Sequence, residues 1–246
     1  MKLLVINPNI SESVSALIAA EAQRVASIET QITMQTASFG VAYIETRFEA
    51  MIGAMAVAEL AGAHADGHDA LVIAAFGDPG LLAMREVLDI PVVGLTESAV
   101  LTACALGQRF SIIAISKRIA AWYEETVASY GLASRLASIR TLDQTLRDIG
   151  AVQEHHAQAL KALCMQAIEQ DRADVLIIAG APLAGLARTI ESEIPVPVID
   201  GVSCAIRHAE SLVKLGARPP QASSLAPPPR KPNRGLSEAL RRLLEH

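Results

Sequence analysis

Aromatic side chains are nearly absent, at 3% of the 246 residues, although hydrophobic residues as a whole reach 51%. A core must therefore be packed from aliphatic and alanine side chains. A disulfide framework is also missing. The three cysteines, Cys104, Cys164 and Cys204, are odd in number and widely spaced, which fits unpaired thiols in a reducing, cytoplasmic setting. No long basic run appears and the net charge is −5, so nucleic acid and anionic membrane surfaces are not expected partners. No apolar run approaches the roughly 18 residues of a membrane span. The opening MKLLVINPN is too short for the apolar region of a signal peptide and reads as a first strand. Walker A, GxGxxG and HExxH patterns are absent. His64 and His68 lie either side of Gly67 in a turn, a poor setting for a metal. Neither a metal nor a cofactor is expected.

What is present is an alternation of short apolar runs and alanine-rich amphipathic segments. Strands are read over 2–7, 31–37, 69–75, 91–95, 110–115, 136–140, 174–179 and 196–199. Helices are read over 11–26, 46–65, 80–88, 97–107, 117–130, 153–170, 183–191 and 202–214. Near-continuous apolar strands between helices imply parallel sheets covered on both faces, an α/β fold. The segment 215–246 changes character. RPPQASSLAPPPRKP reads as an extended arm, and LSEALRRLLEH as a short amphipathic helix that packs back on the body or on a partner subunit.

An internal repeat sharpens the picture. DALVIAAFGDPGLLAMREVLDIPVVGLTESAV (69–100) aligns with DVLIIAGAPLAGLARTIESEIPVPVIDGVSCAI (174–206). Asp69 meets Asp174, Ala75 meets Gly180 and Gly80 meets Gly185, and the earlier strands LLVINPN and SIIAISK also correspond. The expected architecture is two pseudo-symmetric lobes, each a mostly parallel four-stranded sheet flanked by helices: residues 1–97 with 201–214, and residues 98–200. Ligands of open parallel sheets bind beyond the carboxyl ends of the strands. Facing lobes would bring the turns after Ala75 and Gly180 to opposite walls of one cleft. The turn residues Ala75, Phe76 and Gly77 on one wall, and Gly180, Ala181 and Pro182 on the other, are the expected substrate contacts.

VINPNIS near the start, the AFGDPG turn, GLTESA and PVIDGV together resemble the Asp/Glu/hydantoin racemase superfamily, in particular its hydantoin/allantoin racemase branch. The resemblance covers almost the whole chain and implies two pseudo-symmetric α/β lobes with the site between them. It implies an enzyme for small polar molecules that needs no cofactor and assembles as a homo-oligomer. In that family a cysteine thiolate removes a proton beside a carbonyl and a second cysteine delivers one on the other face. The matching positions here are Ala75 and Gly180, and neither carries a proton. Ala114 and Ile115 stand where the family has a polar pair.

Other residues are candidates for the missing chemistry. Asp78 caps a helix beginning at Pro79, or else serves as an acid or base. The resemblance places Asn7 and Asn9, in the loop after the first strand, and Glu45 at the substrate. Tyr43 enters from the same segment as Glu45. Arg47, at a helix start where its charge opposes the dipole, is a candidate for a substrate carboxylate, against a surface ion pair. Thr96 and Glu97 follow the strand PVVGL; capping is one role, and Glu97 is also a candidate base whose pKa burial would raise. Lys117 and Arg118 end another strand and suit an anionic ligand. The catalytic candidates are thus Glu97, Asp78 and Tyr43. Three functions remain open: a hydrolase or lyase of a hydantoin-like ring, for example one that desulfurates a thiohydantoin; an isomerase with non-cysteine bases; and a binding protein without catalysis.

Overall fold

A computed structural model describes residues 1–142 and 152–245. It contains two four-stranded parallel sheets. The first has the order β2-β1-β3-β4, formed by β1 (Lys2–Asn7), β2 (Gln31–Thr36), β3 (Ala70–Ile73) and β4 (Val92–Gly94). The second repeats that order with β5 (Phe110–Ala114), β6 (Leu136–Thr141), β7 (Val175–Ile178) and β8 (Val198–Asp200), as β6-β5-β7-β8. The central strands KLLVIN, ALVI, FSIIA and VLII are buried along almost their whole length, as near-continuous apolar runs in doubly covered sheets should be.

The helices are α1 (Glu12–Val25), α2 (Arg47–His64), α3 (Leu81–Val87), α4 (Leu95–Leu106), α5 (Ala120–Ser129), α6 (Val152–Glu169), α7 (Leu186–Ile190), α8 (Gly201–Lys214) and α9 (Glu238–Leu244). Alternation of side chains along each strand divides the apolar residues into layers. Leu3, Val5 and Val72 of the first sheet share one core with Phe110, Ile112 and Ile177 of the second, together with α1, α4, α5 and α8. The opposite faces pack outward: Leu4, Ile6 and Ile73 beneath α2 and α3, and Ile113, Leu176 and Ile178 beneath α6 and α7.

The repeat extends to individual hydrogen bonds, with the first strands matched one residue earlier than the sequence alignment has them, Leu3 with Phe110 instead of Ser111. Lys2 N–H donates to Asp69 Oδ2 at 2.7 Å, and Arg109 N–H donates to Asp174 Oδ2 at 2.9 Å. Ala74 N–H reaches Ile6 O and Ala179 N–H reaches Ile113 O, both at 2.8 Å. Gly80 and Gly185 begin α3 and α7 with φ of 83° and 82°, a left-handed conformation that favours glycine.

The helices that follow the last strand of each sheet cross over. Helix α4 packs on β7 and α5, while α8 packs on α1, β3 and β4. A β-carbon on Gly201 would stand 2.9 Å from Leu95 Cβ, and two turns further along both helices Thr102 Oγ1 lies 3.2 Å from His208 Nε2. Leu95 and Gly201, like Thr102 and His208, are repeat mates, so α4 and α8 lie parallel along the pseudo-two-fold axis. Both N-termini, with their positive dipole ends, point to the end where the strands finish.

Element positions follow the sequence reading with small shifts. Residues 117–119 form a 3₁₀ turn before α5, and the segment read as a helix from 183 is a 3₁₀ turn over 181–183 followed by α7. The arm returns α9 to the body: α9 packs on α2, with Ala239 O close above Gly62, and Ser237 Oγ donates to Glu59 at 2.7 Å.

Candidate active site

The turn after β3 is fixed by residues from both halves. Phe76 packs on Tyr123 with ring centroids 4.8 Å apart, and a β-carbon at Gly77 would run into the Trp122 ring at 2.2 Å. Gly77 N–H donates to Thr96 Oγ1 at 2.5 Å. Asp78, at φ 49°, points its carboxylate inward and is 6% exposed. Oδ1 accepts from Thr96 N–H at 2.9 Å. Oδ2 accepts from Glu97 N–H at 2.8 Å and from the Tyr130 hydroxyl at 2.7 Å. Burial drives the Asp78 pKa up to about 6, although these three donors act against the rise.

Asp78 therefore caps α4, not the helix that follows it; that helix starts at Leu81 with Gly80 as its cap. The second half delivers its cap differently. Asp200 sits at the end of β8 itself and accepts from Ser203 N–H at 2.9 Å. Its repeat mate is Gly94, where a β-carbon would lie 2.4 Å from Asp78 Cγ. The two halves place a carboxylate at equivalent helix starts from different positions in the chain, and Gly94 is small because Asp78 occupies its space.

The turn after β7 is buried at Ala181, Pro182 and Leu183. Gly180 has φ 104° and ψ 135°, a region that residues with a β-carbon rarely enter. Between the two turns lies a narrow crevice lined by Phe76, Leu95, Gly180, Asp200 and Gly201 that is too tight to admit a water molecule, so a ligand there requires the turns to part. The N–H groups of Ala75 and Phe76 on one turn, and of Gly180 and Ala181 on the other, make no hydrogen bond among the described residues. Unclaimed backbone donors at two opposed turns can hold carbonyl oxygens or a developing oxyanion.

The remaining candidates divide into two groups. Tyr43 packs against the outer core of the second half, and its buried hydroxyl has no partner among the described residues. Burial, then the nearby Tyr123, Glu45 and Glu49, pushes its pKa far up, so it stays a neutral donor. Asn7 and Asn9 are buried and knit the first loop: Asn7 Nδ2 donates to Asn9 Oδ1 at 3.1 Å and to Ser15 Oγ at 3.0 Å. Glu45 is half-buried next to Tyr43, its N–H held by Glu49 at 2.8 Å.

Other residues are engaged elsewhere. Arg47 forms a surface pair with Glu125, Nε to Oε2 at 2.7 Å, instead of waiting for a carboxylate. Glu97 is bound by Arg85 at 3.0 and 2.5 Å, and Arg85 also holds Val92 O. Thr96 serves the Gly77 turn and does not cap α4. Lys117 and Arg118 share an exposed 3₁₀ turn. Burial raises the thiols of Cys164 and Cys204 to about 12, so both are protonated packing groups. Sequence reasoning missed Trp122, Tyr123 and Tyr130, whose aromatic types in a chain so poor in rings were the available signal.

A family model described as Asp/Glu/Hydantoin racemase matches residues 3–209. A hydantoin racemase from Pseudomonas sp. (strain NS671) is 36% identical over 239 residues, covering 97% of this chain and 96% of the relative. A hydantoin racemase from Paenarthrobacter aurescens is 38% identical, covering 94% and 99%. Among solved structures, an allantoin racemase from Klebsiella pneumoniae superposes with a TM-score of 0.93 at 34% identity, covering 98% of each chain.

Proposed function

The chain belongs to the Asp/Glu/hydantoin racemase family, and from that premise we propose an enzyme that binds a small hydantoin-like ring between the turns at 75–80 and 180–185. Its reaction is not two-sided proton exchange but attack of water on a ring carbonyl or thiocarbonyl carbon. One observation carries this reading. Opposed turns offer N–H donors unclaimed among the described residues, while the side chains at their heads, Ala75 and Gly180, offer no proton carrier. Donors placed where charge develops lower the barrier to addition at a carbonyl. Two-base racemisation would need a proton carrier on each face of the stereocentre, and these two positions supply none. Tyr43, neutral and without a hydrogen-bond partner among the described residues, would give a further hydrogen bond to a ring oxygen.

The names of the relatives favour a second reading, isomerisation at the ring carbon by non-thiol groups. The test is incubation of single-enantiomer hydantoins and thiohydantoins in oxygen-labelled water, with products identified by mass spectrometry. A ring-opened or desulfurated product carrying the label supports water attack. An unlabelled product of unchanged mass that has lost its optical rotation rejects it in favour of isomerisation.

A further inference from the structure

Asp200 lines the crevice beside Gly180, and its other side faces an outer groove of about 430 Å³ bordered by Arg24, Arg188, Ser203 and His208. Between these spaces lies a contact the fold alone does not require. Ser203 Oγ stands 2.7 Å from Glu21 Oε1 and 2.7 Å from Asp200 Oδ2. A serine hydroxyl has one hydrogen, so it can donate to only one of them. The second short contact is attractive only if the other carboxyl is protonated and donates to the serine oxygen. Glu21 and Asp200 are 4% and 5% exposed, so water does not relieve the contact.

We propose that Asp200, Ser203 and Glu21 form a proton-transfer chain, with one proton shared between the two carboxyls, linking the Gly180 crevice to the outer groove. The surroundings decide where the proton rests. Glu21 receives Arg24 Nε at 3.0 Å and Nη2 at 2.5 Å, and Arg188 of α7 is close by and makes no hydrogen bond of its own among the described residues. Those cations favour ionised Glu21. Asp200 receives the Ser203 N–H and hydroxyl and the Val202 N–H but no bond from a cation, with the Cys204 thiol next on its helix and Arg207 and His208 further along the groove. The directions of titration agree. Burial raises both carboxyls, but the bonds from Arg24 and Ser203 bring Glu21 below its usual value, while Asp200 stays above its own.

The transfer balances. Asp200 Oδ2–H gives its proton to a substrate atom in the crevice, Ser203 Oγ–H passes its proton to Asp200, and the serine oxygen takes one from Glu21, which draws it from water in the groove. One proton enters for each delivered, and no electrons move. The transfer step rests on the cleft being an active site; the shared proton does not.

Infrared difference spectra of the unliganded protein near neutral pH test the shared proton. The expected result is a protonated, buried carboxyl band that disappears in Asp200→Asn, a variant that keeps an oxygen to cap α8. A wild type without that band, or a band unchanged in Asp200→Asn, overturns the proposal. For transfer, Ser203→Ala should lower kcat on the cleft's substrate about 10²-fold with KM unchanged, and Ser203→Thr should restore it. Wild-type turnover in Ser203→Ala overturns transfer. If no hydantoin-like compound turns over, the cleft reading fails, and the infrared result alone decides the shared proton.

Discussion

Placing a thiol on each side of the cleft should have unequal consequences. Gly180 sits at φ 104°, and a β-carbon built there meets nothing closer than Pro182 Cδ at 3.7 Å. Space is therefore not the obstacle to Gly180→Cys; the backbone is. Holding a residue with a β-carbon in such a region costs about 1–3 kcal/mol. Loss of glycine freedom in the unfolded chain returns roughly 0.4–1 kcal/mol. The net spans about 0 to 2.6 kcal/mol with a mid-value of roughly 1.3, and at roughly 2–4 °C per kcal/mol in a protein of this size the mid-value lowers the melting temperature by about 3–5 °C. Ala75 is outside the positive-φ residues, so Ala75→Cys carries no backbone cost. Calorimetry on the two single variants measures the contrast. If Gly180→Cys melts with the parent, the turn does not require glycine and the argument from its conformation collapses.

Three further outcomes follow from the site. Tyr43→Phe removes a buried hydroxyl that has no partner among the described residues, so it should stabilise the free protein by about 1 kcal/mol in denaturant unfolding while weakening binding of a hydantoin-like ligand in calorimetric titration. Asp78, raised from 3.8 to about 6, binds its proton more tightly folded than unfolded. Stability from this group is therefore greatest below pH 4 and is lost as pH rises towards 6, by about 3 kcal/mol. In Asp78→Asn that slope should vanish, so the stability gap between wild type and variant narrows with rising pH; parallel curves would refute the assignment. Gly77→Ala drives a methyl group into the Trp122 ring at φ 99°, and a loss of several kcal/mol, or no folded protein, is expected in thermal melts.

The architecture was legible because it rests on patterns local in sequence. Apolar runs of the KLLVIN and VLII kind can only be buried strands, and the match of Asp69 with Asp174 captured a hydrogen bond at the base of each sheet. The cap of α8 is equally local, since Asp200 lies three residues from the N–H it accepts. Contacts across long separations were not legible. Asp78 looked like the cap of the next helix because a cap is usually adjacent, whereas its partners lie 18 and 19 residues on. Arg47 and Glu97 looked available because Glu125 and Arg85 come from other elements. The Glu21–Ser203 contact spans 182 residues and depends on α8 crossing back to α1, which no local period encodes.

The claim that this cleft works without proton exchange at both faces is tested most directly by proton NMR of a single-enantiomer, ring-substituted hydantoin incubated with the protein in D₂O. The account predicts that the hydrogen at the stereocentre persists and optical rotation per unconverted molecule is unchanged. Protein-dependent replacement of that hydrogen by deuterium, in step with loss of rotation, would contradict it.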